Sequence, residues 1–185
     1  ADRGVPCPTP LADGEGRKLR EIEGRPAACV TFLDGRSIRR ATTAQCRALG
    51  GALAELHVAG RAYPGERAND LALAGWRRLF DRIGDRAEEV APGLAAELAG
   101  ELESLEAIWP ADLPRGVIHA DLFPDNVFFE DDRVTGLIDF YFACTDSLAY
   151  DLAICLNAWC FERDGAFNTT NARALTAGYA RVRPL

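Results

Sequence analysis

The chain has 185 residues, enough for one domain with a substantial core or for one large lobe of a two-lobed protein. It is 48% apolar and 26% charged, an ordinary globular balance, and no apolar run approaches the ~20 residues a membrane span needs. The net charge of −7 argues against a nucleic-acid footprint, which is normally basic; the clusters Arg36/Arg39/Arg40 and Arg77/Arg78 read as solvated faces.

Six cysteines form no C-x-x-C pair, and no Cys/His set has zinc-ligand spacing. Several lie in apolar surroundings, so they read as reduced core thiols of a cytoplasmic protein. No signal peptide is apparent. There is no methionine either, and the sequence opens abruptly at Ala1-Asp2-Arg3, which suggests a fragment.

Residues 1–16, rich in Gly and Pro, read as a loop. Lys18–Ile22 predicts a short strand, Glu23–Pro26 a turn, and Ala27–Leu33 a buried strand ending at Asp34-Gly35. From Thr43 the period turns helical. Cys46, Leu49, Leu53 and Leu56 form one stripe, Thr42 or Thr43 can cap it, and Gly60 fits its end. A second helix is expected over 68–83. A third, over 88–109, is ended by Pro110 and Pro114. The runs Val127–Phe129 and Val134–Ile138 flank the acidic turn 130–133, a hairpin signal. Residues 147–161 predict a largely buried helix, capped by Asp146 or Ser147, and a last helix begins near Thr170. With so few strands the fold class is α+β and mostly helical.

The hairpin carries the chemistry. It returns the chain to its starting end, so Asp121 and Asn126 before it can meet Asp139 after it. Phosphoryl transfer asks for positioning and charge neutralisation: a carboxylate for the hydroxyl proton, and oxygen ligands for magnesium on the nucleotide phosphates. In this reading Asp121 is the base, and Asn126 and Asp139 are the metal ligands. His119 is expected to pack beneath the loop and bond backbone. Asp125 is equally a turn residue or a neighbour of metal or substrate. Asp151, a carboxylate inside an apolar helix, needs a partner and is expected to hold the loop. His57 reads as a satisfied structural histidine.

The spacing His-x-Asp-x-x-x-x-Asn, a hairpin, then Asp-Phe resembles the protein-kinase-like enzymes. Ala120 and Tyr141 depart from the protein-kinase pattern, and no Ala-Pro-Glu signature follows. The loop His119-Ala-Asp-Leu-Phe-Pro-Asp-Asn126 instead resembles the aminoglycoside phosphotransferase and choline kinase-like superfamily. Gly136–Cys144, Ala149–Phe161, Cys7–Pro10 and Pro26–Gly35 are similar to its bacterial homoserine kinases. The resemblance covers nearly the whole chain. It implies a protein kinase-like fold, with residues 1–35 as a remnant of the N-terminal lobe and hinge. Residues 36–185 would then be a helical C-terminal lobe cut short at its end. It also implies ATP and Mg2+ as cofactors, and Thr31, Phe32, Leu33 and Asp34 as the hinge contacting adenine.

The activity so implied is phosphorylation of the hydroxyl of L-homoserine, in threonine biosynthesis. A homoserine ammonium wants a carboxylate, and its carboxylate wants Arg or a helix N-terminus. Tyr141, Asp146, Asn157 and Trp159 follow the metal aspartate and are candidates for the acceptor pocket. The alternatives are another acceptor, such as an aminoglycoside or choline, and a catalytically inactive kinase-like binding module. No G-x-x-x-x-G-K-[ST] phosphate loop occurs in the sequence, so the chain alone is expected to bind nucleotide poorly.

Overall fold

Helix α1 (Thr43–Gly60) begins where a threonine can hold it. In the computed structural model, which describes residues 2–185, Thr42 is the N-cap. Its hydroxyl accepts the Gln45 amide while the Gln45 side chain accepts the Thr42 amide, closing a capping box. The predicted stripe of Cys46, Leu49, Leu53 and Leu56 is buried, with His57 beside it. Helix α5 (Thr169–Ala180), capped by Asn168, crosses this helix at two glycines. A Cβ on Gly50 would be driven into the Leu175 carbonyl, and one on Gly178 into the Arg47 carbonyl. Leu152, Cys155 and Trp159 of α4 (Leu148–Trp159) complete this core with Leu122, Val127, Phe129 and Leu137. Each fully buried Leu contributes about 1.5–3 kcal/mol.

Helices α2 (Leu73–Ile83) and α3 (Leu94–Ile108) both start later than their periodicity predicts. The Asn69 side chain accepts the Leu71 amide, and the Arg67 carbonyl accepts the Thr145 amide. Local bonds of this kind offer the backbone an alternative to helix. Residues 84–89 form a 3-10 turn, and Gly93, at φ +83°, adopts a left-handed conformation just before α3. The Glu88 carboxylate then accepts the Gly93 and Ala95 amides.

Among the described residues three two-stranded antiparallel ribbons complete the fold. β1 (Arg20–Ile22) and β2 (Arg25–Ala27) turn at Glu23 and Gly24, both at positive φ as a tight two-residue hairpin requires. The buried strand expected over 27–33 does not form. Val30 makes a single bridge to Pro10, and Phe32 is 91% exposed. An apolar run becomes a buried strand only with a sheet beside it and a layer above it, and here it has one bridge. β4 (Val127–Glu130) and β5 (Arg133–Leu137) form the predicted acidic-turn hairpin. β3 (Arg115–Ile118) and β6 (Cys144–Ser147) pair from Arg115↔Ser147 to Ile118↔Cys144, a ribbon the sequence does not announce. Neither Asp146 nor Ser147 caps α4 through its side chain, and among the described residues the buried Ser147 hydroxyl has no hydrogen-bond partner. Among the described residues no helix is long and apolar enough to cross a membrane.

Candidate active site

Between β3 and β4 the chain runs through His119–Asn126, and its second residue is strained. Ala120 sits at φ +63°, a left-handed conformation that costs an L-residue about 1–2 kcal/mol. Asp151, in the first turn of α4 and fully buried, holds it there. Its Oδ1 accepts the Ala120 amide at 2.9 Å. Its Oδ2 accepts the His119 amide at 2.8 Å and faces His57 Nε2 at 2.9 Å. A carboxylate only accepts, so His57 carries its proton on Nε2. In the neutral ring Nδ1 then accepts the Tyr179 hydroxyl at 2.7 Å. Three donors meet the one buried carboxylate, which is what its burial demands. The chain Tyr179–His57–Asp151 thus reaches from the α1–α5 core to the backbone of the loop.

The buried His119 ring lies under the same loop. Its Nε2 donates to the Ile138 carbonyl at 2.9 Å, and its Nδ1 accepts the Asp121 amide at 3.3 Å. The Trp159 indole donates to the Leu122 carbonyl at 2.7 Å from within the core. Trp159 therefore braces the loop from the core.

The hairpin gathers the three polar residues as its geometry requires. Asn126, 8% exposed, donates from Nδ2 to the Asp121 carbonyl at 2.8 Å and to Asp121 Oδ2 at 3.1 Å. Its own carbonyl accepts the Ile138 amide at 3.0 Å, next to Asp139 at φ +60°. The Asp121 carboxyl is pushed above its usual range, chiefly by desolvation and further by Asp139 and Asp125; His119 and Asn126 pull the other way.

The donor set fits a hard divalent cation. Both Nδ2 bonds of Asn126 go to Asp121, leaving its amide oxygen to coordinate, and the Asp139 carboxylate is exposed. Among the described residues no group of three or more His, Cys, Asp or Glu could enclose a metal. Magnesium needs no such cage when one or two protein oxygens share it with substrate phosphates.

The expected hinge rests on β5. Thr31 exchanges bonds with Thr9, Leu33 lies over Gly136, and the Asp34 carbonyl accepts the Thr135 hydroxyl at 2.7 Å. Tyr141, exposed in the turn after Asp139, lines a cavity of about 230 Å³ together with Ala120, Arg67, Asn69, Asp70 and Tyr150. The Asp146 oxygens are taken by Asn69 Nδ2 at 2.8 Å, Arg115 Nη1 at 3.1 Å and the Ser147 amide at 2.7 Å. Asn157 is exposed farther along α4 and is not brought into this cavity. The loop residues Arg67 and Asn69, and the link from Tyr179 through His57, escape sequence reasoning. Nothing local marks them, since each meets its partner at least 74 residues away.

A strained loop pinned from below, with an Asp/Asn/Asp set gathered by a hairpin, is the frame of a kinase-like phosphotransferase. The chain belongs to the phosphotransferase enzyme family, whose profile matches residues 1–185. It is 60% identical over its whole length to a homoserine kinase of Xanthobacter autotrophicus, and 59% identical to one of Rhodopseudomonas palustris. It spans 58% and 57% of the length of these two relatives. Among solved structures it is similar to an aminoglycoside-3'-phosphotransferase of type VIII. That match has a TM-score of 0.70 and 26% identity over 97% of this chain and 68% of the other. The fold also matches the amicoumacin kinase hAmiN, in complex with AMP-PNP, Ca2+ and Ami, at a TM-score of 0.72 and 14% identity. That match covers 97% of this chain and 57% of the kinase.

Proposed function

We propose that this chain carries the catalytic machinery of a kinase that transfers the γ-phosphoryl group of ATP to the hydroxyl of L-homoserine. The observation that carries the reading is the pair of hydrogen bonds from Asn126 Nδ2 to the carbonyl and carboxylate of Asp121, tied through the Asn126 backbone carbonyl to the strand end that bears Asp139. The names and identity of the homoserine kinase relatives support the acceptor.

Asp121 accepts the proton of the attacking hydroxyl as the new oxygen–phosphorus bond forms and the bond to the β-phosphate breaks. The products are O-phospho-L-homoserine and ADP. Asn126 Nδ2 holds the Asp121 carboxylate in place, and the desolvation that raises its pKa makes it a better proton acceptor. Asn126 and Asp139 supply the oxygens for magnesium, which neutralises phosphate charge when bound. Asp151 and His119 keep the loop in its strained shape. The backbone of Thr31–Asp34 would hold the adenine. The reaction suits the cytoplasm, where ATP and free amino acids are plentiful.

The test is substitution in the full-length gene product. Asp121→Ala is expected to cut kcat about 10²–10⁴-fold, the usual worth of a positioned base. Asp139→Ala is expected to weaken magnesium–ATP binding in calorimetry and to lower turnover. Near-normal turnover in either variant would sink the roles. An acceptor panel of homoserine, choline and kanamycin tests the substrate, and homoserine is expected to be used best.

A further inference from the structure

The segment Arg67–Leu71 has the composition of a helix start but is held out of helix by bonds to three other elements. Arg67 Nη1 donates to the Tyr141 carbonyl at 2.5 Å and to the Ala143 carbonyl at 3.4 Å. Asn69 Nδ2 donates to the buried Asp146. The Leu71 carbonyl accepts the Tyr150 hydroxyl at 2.7 Å. The bonds fix the segment against the turn after Asp139, against β6 and against α4. Departures of this kind from local propensity tend to fall at functional positions.

We infer that this segment reads the two charges of an α-amino acid acceptor, with Arg67 binding its carboxylate and Asp70 its ammonium, in the cavity beside Ala120. The inference rests on the function proposed above and names the residues that select its substrate. The cavity of about 230 Å³ reaches Ala120, the strained residue that precedes Asp121 in the loop, and is bounded also by Tyr141 of the turn after Asp139. It is smaller than the roughly 300–1,000 Å³ of sites for drug-sized ligands, and it suits a single amino acid better than a multi-ring aminoglycoside. Only one nitrogen of the Arg67 guanidinium is committed to backbone carbonyls. Among the described residues Nε and Nη2 have no partner, leaving an edge for a planar carboxylate. Asp70 lines the same cavity, and among the described residues its carboxylate has a single ion-pair partner, Arg78, at 3.3 Å from Oδ1. A cation and an anion three positions apart on a pinned loop present fixed, opposite charges, so little ordering is needed when a zwitterion binds. Tyr141 and Tyr150 also line this cavity.

The experiment compares acceptors in the full-length gene product, using homoserine and the amino alcohol in which a hydroxymethyl group replaces the carboxylate. Unmodified protein is expected to prefer homoserine in kcat/KM. In Arg67→Gln that preference is expected to fall by about tenfold to a hundredfold, the worth of a charge-assisted hydrogen bond. Arg67→Lys keeps the cation and is expected to retain more of the preference. Asp70→Asn should lower the preference for homoserine over 4-hydroxybutanoate, which lacks the ammonium. A purely structural role for Arg67 would lower both acceptors by the same factor, and an unchanged preference in Arg67→Gln and Arg67→Lys overturns the assignment. Failure of the unmodified protein to phosphorylate homoserine overturns the proposed function itself and, with it, the ligand given to this cavity.

Discussion

Replacing Asp151 by Asn keeps the volume of a fully buried side chain and changes only its bonding. Two backbone amides and the His57 Nε2–H all point at the carboxylate. An amide group offers one acceptor oxygen and two donor hydrogens. With its oxygen in the Oδ2 position it serves His57 and His119, and its NH2 meets the Ala120 amide donor to donor. Flipped, it serves Ala120 and opposes the His119 amide, and His57 must change tautomer. Either way one buried amide is orphaned, at a cost of about 1–3 kcal/mol, and the surviving bonds weaken from charge-assisted to neutral. Relief of a buried charge offsets part of this. A net loss of about 2–3 kcal/mol follows, which lowers Tm by roughly 4–12 °C for a protein of this size. The strained Ala120 loses its restraint, and a shift of about 1 Å in the loop is enough to cost 10²-fold in rate. Thermal denaturation and steady-state kinetics of Asp151→Asn measure both quantities. A Tm within about 1 °C of the parent, with turnover within about twofold, would refute the reasoning.

Other consequences are equally direct. Gly50→Ala drives a methyl into the Leu175 carbonyl, and a helix must move; a loss of about 3 kcal/mol or more is expected by denaturant titration, against a small effect for Gly51→Ala. Glu88→Ala should lower thermal stability near neutral pH by removing the acceptor for the Gly93 and Ala95 amides. Those bonds hold the Glu88 carboxyl below its ordinary range, so its contribution is present above about pH 4.5 and lost as pH falls through the depressed value; the parent and Glu88→Ala curves should converge in acid. Cys144 is buried and its thiol is pushed up to about 11, first by desolvation and then by Asp146. A disulfide reagent at pH 8 should label exposed Cys29 quickly and spare Cys144. Because the folded thiol holds its proton more tightly than the unfolded one, stability should fall as pH rises from about 9 toward 11.

What the sequence reveals and what it conceals divide along contact range. The α1 stripe and the acidic-turn hairpin are local patterns, and from the hairpin the meeting of Asp121, Asn126 and Asp139 follows by geometry alone. Asp151 is legible because a carboxylate in an apolar helix must find donors. Its three donors are not, since His57 lies 94 positions away and the loop amides 31 and 32. The β3–β6 ribbon is hidden for the same reason, and Cys-Thr-Asp-Ser has no strand signature of its own. Residues 68–72 carry helical composition but are overruled by bonds to Asp146 and Tyr150. Residues 27–33 carry strand composition but lack a neighbouring sheet.

The line from Tyr179 through His57 to Asp151 also dictates when the site can exist during folding. Its bonds close sequence separations of 122 and 94 residues, and no local turn substitutes for them. The strained Ala120 therefore gains its support only after α1, α4 and α5 have docked, so the reactive loop is set late and dissolves with the whole lobe. Its amide should exchange with solvent as slowly as the core helices do, and only through global opening. A loop on the surface of the lobe would then be as durable as the core beneath it.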